Sequence, residues 1–153
     1  HDTQPGQSLQ SFVDKNFKQS AYSIILLRED GYPCVFYGDL YGIPHDNIEP
    51  VKDIKILMKL RKEKAYGIQH DYFDNPNYIG WTREGDESHL RSGLAVVITN
   101  RGAGEKRMYM GIQNAGNTYI DALGNCKEEV KISDDGFGNF KVSEKSVSIW
   151  VEE

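Results

Sequence analysis

The chain has 153 residues, of which 39% are hydrophobic and 27% are charged, with 15 glycines, 5 prolines and 2 cysteines. These values exclude a collagen, a disulfide-stapled scaffold and a disordered tail, and the length excludes a complete barrel of eight βα units, which takes about 250 residues. The net charge of −5 provides no basic surface for nucleic acid or an anionic membrane, and no segment reaches the roughly 18 apolar residues of a membrane span. We therefore expect neither nucleic acid nor a membrane as a partner.

The two halves of the chain follow different local rules. Four of the 15 glycines lie within residues 1–66 and eleven lie within residues 67–153. The first half carries nine basic and nine acidic residues, whereas the second carries nine and fourteen and so holds the whole charge deficit. We therefore expect two structural units with a boundary after Tyr66.

The first half reads as a piece of an α/β fold. Apolar residues at helical spacing predict a helix over 11–29, and the short apolar run 33–37 between two glycines is typical of a strand buried on both faces. A loop over 39–49 follows, and Pro50 opens a second predicted helix that Gly67 stops. Helix, buried strand, loop and helix is the order found in α/β proteins.

The second half alternates between short apolar segments and turn signals, which favours an antiparallel sandwich or barrel. Turn-forming residues stand between the segments, for example at 74–77 and 134–136. The predicted strands are 68–73, 78–84, 94–99, 106–111, 118–123, 128–132, 137–142 and 146–151.

Two segments of the first half place polar groups in loops, where the functional sites of barrel and α/β proteins are often found. Residues 1–6 form a polar loop before the first helix, and the buried strand 33–37 ends in Tyr-Gly-Asp. Each segment also has a purely structural interpretation. Residues 1–6 can be the capped start of a helix, and the Tyr-Gly-Asp sequence can be a strand end with a tight turn. The dipeptide His-Asp occurs at 1–2, 45–46 and 70–71, and chance or a capping role accounts best for any one of them.

Five blocks of sequence together resemble the C-terminal third of a bacterial liquefying-type α-amylase, a family of the retaining α-glucan hydrolases with a catalytic (β/α)8 barrel. They are HDTQPGQSL at 1–9, GYPCVFYGD at 31–39, YGIQHDYF at 66–73, IGWTREG at 79–85 and SVSIWV at 146–151. The resemblance implies an α+β chain in which residues 1–66 supply the last βα units of the barrel and residues 67–153 form an antiparallel Greek-key β-sandwich.

The resemblance also implies an activity and two site residues. The activity is endo-hydrolysis of α-1,4-glucosidic bonds in starch- or glycogen-type glucans. His1 matches the histidine that binds the sugar at the cleavage subsite, and Asp2 matches the carboxylate that stabilises the cationic transition state. The nucleophile and the general acid lie upstream in the family. We therefore expect this chain alone to be inactive, and its partners to be the α-glucan and the missing N-terminal part of the barrel.

The resemblance implies no cofactor within this chain, and it places the calcium of the full-length enzyme outside it. Secreted family members hold a further calcium ion between barrel and sandwich, but the matching positions here read Pro76-Asn77 and Asn100. Calcium favours carboxylate oxygens, which these residues lack. Asp134-Asp135-Gly136 also lacks the spacing of a calcium loop, and a plain hairpin turn is expected there.

Two other functions remain open, a carbohydrate-binding module and a purely structural domain. Five aromatic residues in predicted strands could stack on sugars or could fill a core: Tyr72, Trp81, Tyr109, Tyr119 and Trp150. Exposure of Trp81 and Trp150 as a flat platform would indicate carbohydrate binding, and burial of both would indicate a core role.

A barrel strand without its neighbours leaves unpaired edges, and such edges recruit other chains. We therefore expect residues 1–66 to pack atypically, to self-associate, or to lie against a copy of the missing barrel.

Cys34 and Cys126 are too few and too far apart in sequence to staple the fold, so we expect both to be unpaired. Unpaired thiols and the missing calcium ligands favour a cytoplasmic enzyme, with a secreted one as the alternative.

Overall fold

The computed structural model describes residues 3, 4 and 6–153, so His1 and Asp2 lie outside the described residues. Three α-helices come first in the chain: α1 (Lys18–Leu27), α2 (Tyr37–Tyr41) and α3 (Ile54–Glu63). Eight strands follow: β1 (Gln69–Tyr72), β2 (Tyr78–Arg83), β3 (Leu94–Thr99), β4 (Gly104–Tyr109), β5 (Thr118–Asp121), β6 (Val130–Lys131), β7 (Phe137–Val142) and β8 (Val147–Glu152). Short 3₁₀ helices occur at Pro44–Asp46 and Ile112–Asn114.

The strand predicted over 33–37 does not form, and that prediction is wrong for this chain. Both sheets are built from residues after Gly67, so the described residues provide no neighbouring strand to accept or donate its hydrogen bonds. The backbone instead turns into α2, and the Phe36 carbonyl accepts the N–H groups of Asp39 and Leu40 at 3.1 and 3.2 Å. The described part of residues 1–66 therefore contains helices but no paired strand, and its assignment to the last βα units of a barrel stays a prediction.

Both predicted helices begin later than expected. Before α1, the carboxylate of Asp14 accepts the N–H of Asn16 at 2.8 Å, a local bond that competes with helix formation. Before α3, Asp53 has a φ of 62°, and this left-handed conformation interrupts a helix that would otherwise run from Pro50. The expected loop over 39–49 contains part of α2 and a 3₁₀ turn.

All eight predicted strands are confirmed. They pair antiparallel in a six-stranded sheet of order β1-β2-β3-β8-β5-β6 and a two-stranded sheet of β4 and β7. The chain leaves the larger sheet after β3 and again after β6, and it returns each time, so that β8 lies between β3 and β5. The second half is therefore an antiparallel two-sheet structure.

The larger sheet is covered on both of its faces. On β3, Val96 and Ile98 belong to a core shared with α1 and α3, whereas Ala95 and Val97 belong to a core shared with β4 and β7. This arrangement explains why every residue of β3 is buried and why its sequence is an unbroken apolar run.

Side chains also tie the helices to the sheet. The last carbonyls of α1 accept hydrogen bonds from outside the helix: Arg61 donates to Leu26 at 2.6 Å, and the Trp81 indole donates to Leu27 at 3.4 Å. These bonds satisfy backbone groups that a helix end leaves free. None of the helices among the described residues is long and apolar enough to cross a membrane.

Candidate functional site

The two site residues named from the sequence, His1 and Asp2, lie outside the described residues, and the segment that follows them is described from Thr3 and Gln4 onward. The N-terminal segment is folded back on itself, because the N–H of Ser11 donates to the carbonyl of Thr3 at 3.0 Å. The side chain of Gln10 accepts the N–H of Gly6 at 3.0 Å.

A buried polar cluster lies next to this segment and is formed by Lys18, Tyr22 and Asp39. The Asp39 carboxylate uses both oxygens: Lys18 Nζ donates to Oδ1 at 2.5 Å, and the Tyr22 hydroxyl donates to Oδ2 at 2.8 Å. The Lys18 ammonium is also 3.5 Å from the side-chain oxygen of Gln4. The cluster therefore connects α1, the start of α2 and the residues that follow Asp2.

Burial and the neighbouring carboxylate change the chemistry of Tyr22. Burial, together with the hydrogen bond to Asp39, raises the pKa of Tyr22 to about 12. The phenol is thus a donor over the whole physiological range, and it also accepts the N–H of Phe36 at 3.3 Å. Sequence reasoning placed Asp39 among polar groups at the end of a predicted strand, but it did not connect Asp39 with Lys18 or Tyr22. The missed signal was the spacing of Lys18 and Tyr22, which puts both on one face of a helix.

A cleft of about 710 Å³ opens beside the cluster. Gln4, Lys18 and Asp39 contribute polar groups to its lining, and Phe12 and Val13 contribute apolar ones. Most of the residues that line the cleft are polar or charged, and the cleft lies beside the segment that follows Asp2.

The two tryptophans are buried, so they pack in the cores of the sandwich and do not stack on sugars. Trp81 and Trp150 each have 0% exposure, and they lie in different cores on opposite faces of the larger sheet. The Trp150 indole donates to Lys141 O at 3.1 Å and to Ser148 Oγ at 3.0 Å. Neither ring can therefore form a flat platform for a sugar. Tyr119 is fully buried as well, and Tyr72 and Tyr109 are half-buried.

The positions matched to the family's calcium site do not suit calcium. The Arg101 guanidinium donates to Asn77 Oδ1 at 3.3 Å, so a positive charge occupies the place where a cation would need negative ligands. Within residues 3–4 and 6–153, no three His, Cys, Asp or Glu side chains are grouped closely enough to hold a metal ion. We derive no metal-dependent step for this chain.

Residues 134–136 form a tight turn, but not the expected hairpin, because β6 pairs with β5 and β7 pairs with β4. The N–H of Gly136 donates to the carbonyl of Ser133 at 2.9 Å, and Asp135 pairs with Arg107 at 2.6 Å. The hydrogen bond from Ser133 lowers the pKa of Asp135 most, and the bonds with Phe137 and Arg107 lower it further.

The two later His-Asp dipeptides differ: His45 and Asp46 contact each other at 3.4 Å on the surface, whereas the residues of the dipeptide at 70–71 have separate partners. His70 pairs with Glu84 at 2.5 Å, whereas its neighbour Asp71 pairs with Arg28 at 2.6 Å. Gln113 donates to the second oxygen of Glu84 at 2.7 Å. These contacts connect β1 with β2, with the helical segment (residues 6–66) and with the 3₁₀ turn Ile112–Asn114. The spacing of these residues in the sequence did not predict the contacts.

Comparison with known proteins finds a matching family model and several relatives. Residues 94–151 match the family model described as alpha-amylase C-terminal. Over 152 residues the chain is 54% identical to an α-amylase of Geobacillus stearothermophilus, covering 99% of this chain and 28% of that protein. It is 53% identical over 156 residues to an α-amylase of Bacillus licheniformis, covering 99% and 30%. The chain is therefore similar over its whole length to the C-terminal part of these α-amylases.

A further relative is similar in sequence, and a solved structure is similar in fold. A protein of Escherichia coli (strain K12) named cytoplasmic α-amylase is 37% identical over 164 residues, covering all of this chain and 33% of its own length. An α-amylase structure from Malbranchea cinnamomea has a TM-score of 0.59 at 14% identity over 90% of this chain and 33% of its own. The chain corresponds to the C-terminal part of these α-amylases and spans less than a third of the length of the Geobacillus stearothermophilus and Bacillus licheniformis proteins.

Proposed function

We propose that this chain is the C-terminal part of an enzyme that cleaves internal α-1,4-glucosidic bonds in starch- or glycogen-type glucans. The observation that carries this proposal is the identity of 54% over 99% of the chain with a protein named α-amylase. A second relative, from Bacillus sp. (strain 707), is named glucan 1,4-alpha-maltohexaosidase and is 47% identical over 99% of the chain. Both names describe proteins of one family, and the second specifies a 1,4-linked α-glucan.

In this proposal Asp2 stabilises the transition state and His1 binds the sugar. Cleavage passes through an oxocarbenium-like state, so an ionised carboxylate beside the ring favours the transition state over the neutral ground state. Retaining cleavage also needs a nucleophile and a general acid about 5 to 5.5 Å apart, and by the resemblance both belong to the part of the enzyme that precedes His1. The chain alone would therefore be inactive.

The helical segment would dock onto the rest of the barrel. The large hydrophobic residues that are exposed concentrate there: Leu9, Phe12, Val13, Phe17, Ile25, Tyr32, Tyr37, Tyr41, Ile56 and Met58. An apolar surface of this kind marks an interaction site. Residues 32–35 make no backbone hydrogen bond to a described strand, and a strand of the missing barrel would satisfy their backbone groups. The buried tryptophans support a role for the sandwich as a brace of the barrel rather than as an independent starch binder.

A chimeric enzyme tests this function. The part of the Geobacillus stearothermophilus relative that precedes its matching region is fused to residues 1–153 of this chain. We expect the chimera to reduce iodine staining of starch faster than it releases reducing ends, as an endo-acting enzyme does. Asp2→Asn should lower kcat by more than about 1,000-fold, whereas Asp134→Asn, an exposed carboxylate in a turn, should leave it unchanged.

Two results would contradict the proposal. One is a folded chimera without starch hydrolysis, and the other is full activity in the Asp2→Asn chimera. Residues 1–153 alone, assayed in the same way, should show no activity, and endo-cleavage by them would overturn the assignment of the nucleophile and the acid to the preceding part.

We propose a cytoplasmic location for the whole enzyme. Cys34 and Cys126 are both free, and Cys34 is exposed, which suits a reducing compartment. Fractionation of the native cells should place the starch-hydrolysing protein in the cytoplasm, and its recovery from the medium would contradict this location.

A further inference from the structure

A groove of about 350 Å³ lies on the outer face of the small sheet of β4 and β7. Alternate residues of these strands are exposed there, as Glu105, Arg107 and Asn139 are, whereas Phe140 is buried in the core below. Residues 129–131 form the other side of the groove. This β4–β7 groove thus has the volume of a small-ligand site, which is usually about 300 to 1,000 Å³.

The charges that line the groove are of both signs. Arg107, Lys131 and Lys141 are cationic, and Glu105 and Glu129 are anionic. Two of the cations are also paired with carboxylates at the rim, at 2.6 and 2.9 Å. A phosphate or a metal ion binds where charge of one sign is in excess, and the groove offers no such excess. A neutral ligand with many hydroxyl groups fits this lining better, because each hydroxyl donates one hydrogen bond and accepts others.

Several polar side chains of the groove have hydrogen-bonding capacity to spare. Within the part of the chain that the structure describes, the side chains of Asn139, Lys131 and Glu129 make no hydrogen bond. Arg107 donates through one nitrogen to Asp135, and its guanidinium has further N–H groups. Donors and acceptors therefore both converge on the groove, as a ligand rich in hydroxyl groups requires.

Aromatic rings provide the apolar part of the site. The rings of Phe137, in the groove, and Tyr109, beside it, belong to half-buried residues, and their centroids are 5.1 Å apart. The Arg107 guanidinium lies over the Phe137 ring, 4.0 Å from its centroid. The C–H groups of a sugar ring pack against flat surfaces of this kind, while its hydroxyls reach the polar groups around them.

This surface is held in place before any ligand binds. The Tyr109 hydroxyl accepts the N–H of Ile112 at 3.2 Å, and the Tyr109 N–H donates to the Tyr72 hydroxyl at 2.9 Å. Gly136 has a φ of +81°, and a Cβ at this position would lie 2.7 Å from the Tyr109 ring, so a side chain there would collide with the ring. A preformed surface loses little entropy when a ligand binds.

We propose that the β4–β7 groove binds a short stretch of an α-glucan chain. The groove itself points to a neutral sugar rich in hydroxyl groups, and the choice of an α-glucan rests on the proposed function. A single contact of this kind is weak, and it counts when the same polysaccharide is also held at the cleavage site, since the second contact then becomes intramolecular. The site thus agrees with the bracing role of the sandwich, which holds starch only as part of the enzyme.

The activity of the chimeric enzyme on granular starch, compared with its activity on maltoheptaose, tests the groove. Phe137→Ala removes the ring, and Asn139→Ala removes an exposed amide that has no partner among the described residues. We expect each variant to lower kcat/KM on granules about three- to tenfold. Neither should change kcat/KM on maltoheptaose, because so short a chain gains nothing from a second contact.

Two controls match these variants. Phe73→Ala removes another exposed phenylalanine with a guanidinium over its ring, that of Arg28 at 5.0 Å from the centroid. Asn100→Ala removes another exposed asparagine. Phe73 and Asn100 both lie outside the lining of the groove, so both controls should leave the activity on granules unchanged.

Adsorption to starch granules is the second measurement, made in the Asp2→Asn chimera so that hydrolysis does not interfere. It should fall severalfold in both groove variants, and Asn139→Ala serves alone if Phe137→Ala does not fold. The proposal is overturned if both groove variants adsorb like their parent, or if the activity on maltoheptaose falls as much as the activity on granules. Inactivity of the unmodified chimera would instead contradict the proposed function, and adsorption would still test the groove.

Discussion

At the residue scale, the Asp121 carboxylate organises the turn after β5. Its oxygens accept four backbone N–H groups, those of Leu123 and Ile149 at 3.1 and 2.9 Å and those of Asn125 and Cys126 at 2.9 and 3.0 Å. Asp121 is only 7% exposed, so removal of its carboxylate leaves buried donors without partners.

We expect Asp121→Ala to lower the free energy of unfolding by about 3 kcal/mol, since several buried donors lose their acceptor at once. Urea unfolding with an unchanged m-value measures this loss. Asp134→Ala, in an exposed turn, is the control and should change the free energy by less than about 0.5 kcal/mol. A loss for Asp121→Ala as small as that of the control would contradict the assigned role.

The phenol of Tyr22 provides a second prediction at this scale. Because the folded-state pKa is raised to about 12 from an ordinary value of 10.0, the folded state prefers the protonated phenol. This contribution to stability is fully present below pH 10 and is lost as the pH rises towards 12. Burial also raises the pKa of Tyr119, so tyrosinate absorbance during alkaline titration should show a late step that Tyr22→Phe makes smaller without abolishing it. A late step of unchanged size in Tyr22→Phe would contradict the burial-driven shift.

At the scale of elements, strand prediction succeeded where the partners of a strand lie in the chain. β2 and β3 were predicted from local sequence, and they pair with each other in full register. The segment 33–37 has an equally apolar sequence, but no described strand borders it, so its local pattern could not be realised. The cluster of Lys18 and Asp39 escaped sequence reasoning for a related reason, since it depends on two elements meeting in space.

The backbone at Gly67, where the helical segment leads into the sheets, passes very close to the backbone at Gly85. Gly67 has a φ of +82°, and a Cβ at this position would overlap the carbonyl oxygen of Gly85. The Gly85 N–H donates to the carbonyl of Tyr66 at 2.9 Å, so the two backbones cannot separate without losing this bond.

Gly67→Ala should therefore destabilise the chain by about 3 kcal/mol or more, from steric overlap added to backbone strain. Gly116→Ala is the matched control. Gly116 has a φ of +84°, but no atom of the described residues outside its chain neighbours lies within 4 Å of the place that a Cβ would take. This variant isolates the backbone strain, which we expect to cost about 1 kcal/mol. Chemical denaturation measures the loss in the free energy of unfolding for each variant. If the two losses are equal, the close approach at Gly67 contributes nothing to the destabilisation.

At the scale of the whole molecule, the cores on the two faces of the larger sheet share their central strands. β3 contributes Val96 to one core and Val97 to the other, and β8 contributes Ile149 and Trp150 in the same way. The first core takes its remaining residues from both sides of the boundary after Tyr66, including Leu27 and Leu57 from the helices. Loss of either core would thus disturb the strands that build the other.

This coupling predicts that the helices and the sheets unfold together, and the chain carries a natural probe in each core. It has 2 tryptophans, Trp81 in the core beneath the helices and Trp150 in the core between the sheets. In the single-tryptophan variants Trp150→Phe and Trp81→Phe, the fluorescence transition of each variant should coincide with its own far-ultraviolet circular dichroism transition in urea. If Trp81 fluorescence changes at lower urea than the circular dichroism signal, the helical layer unfolds first and the two cores are independent.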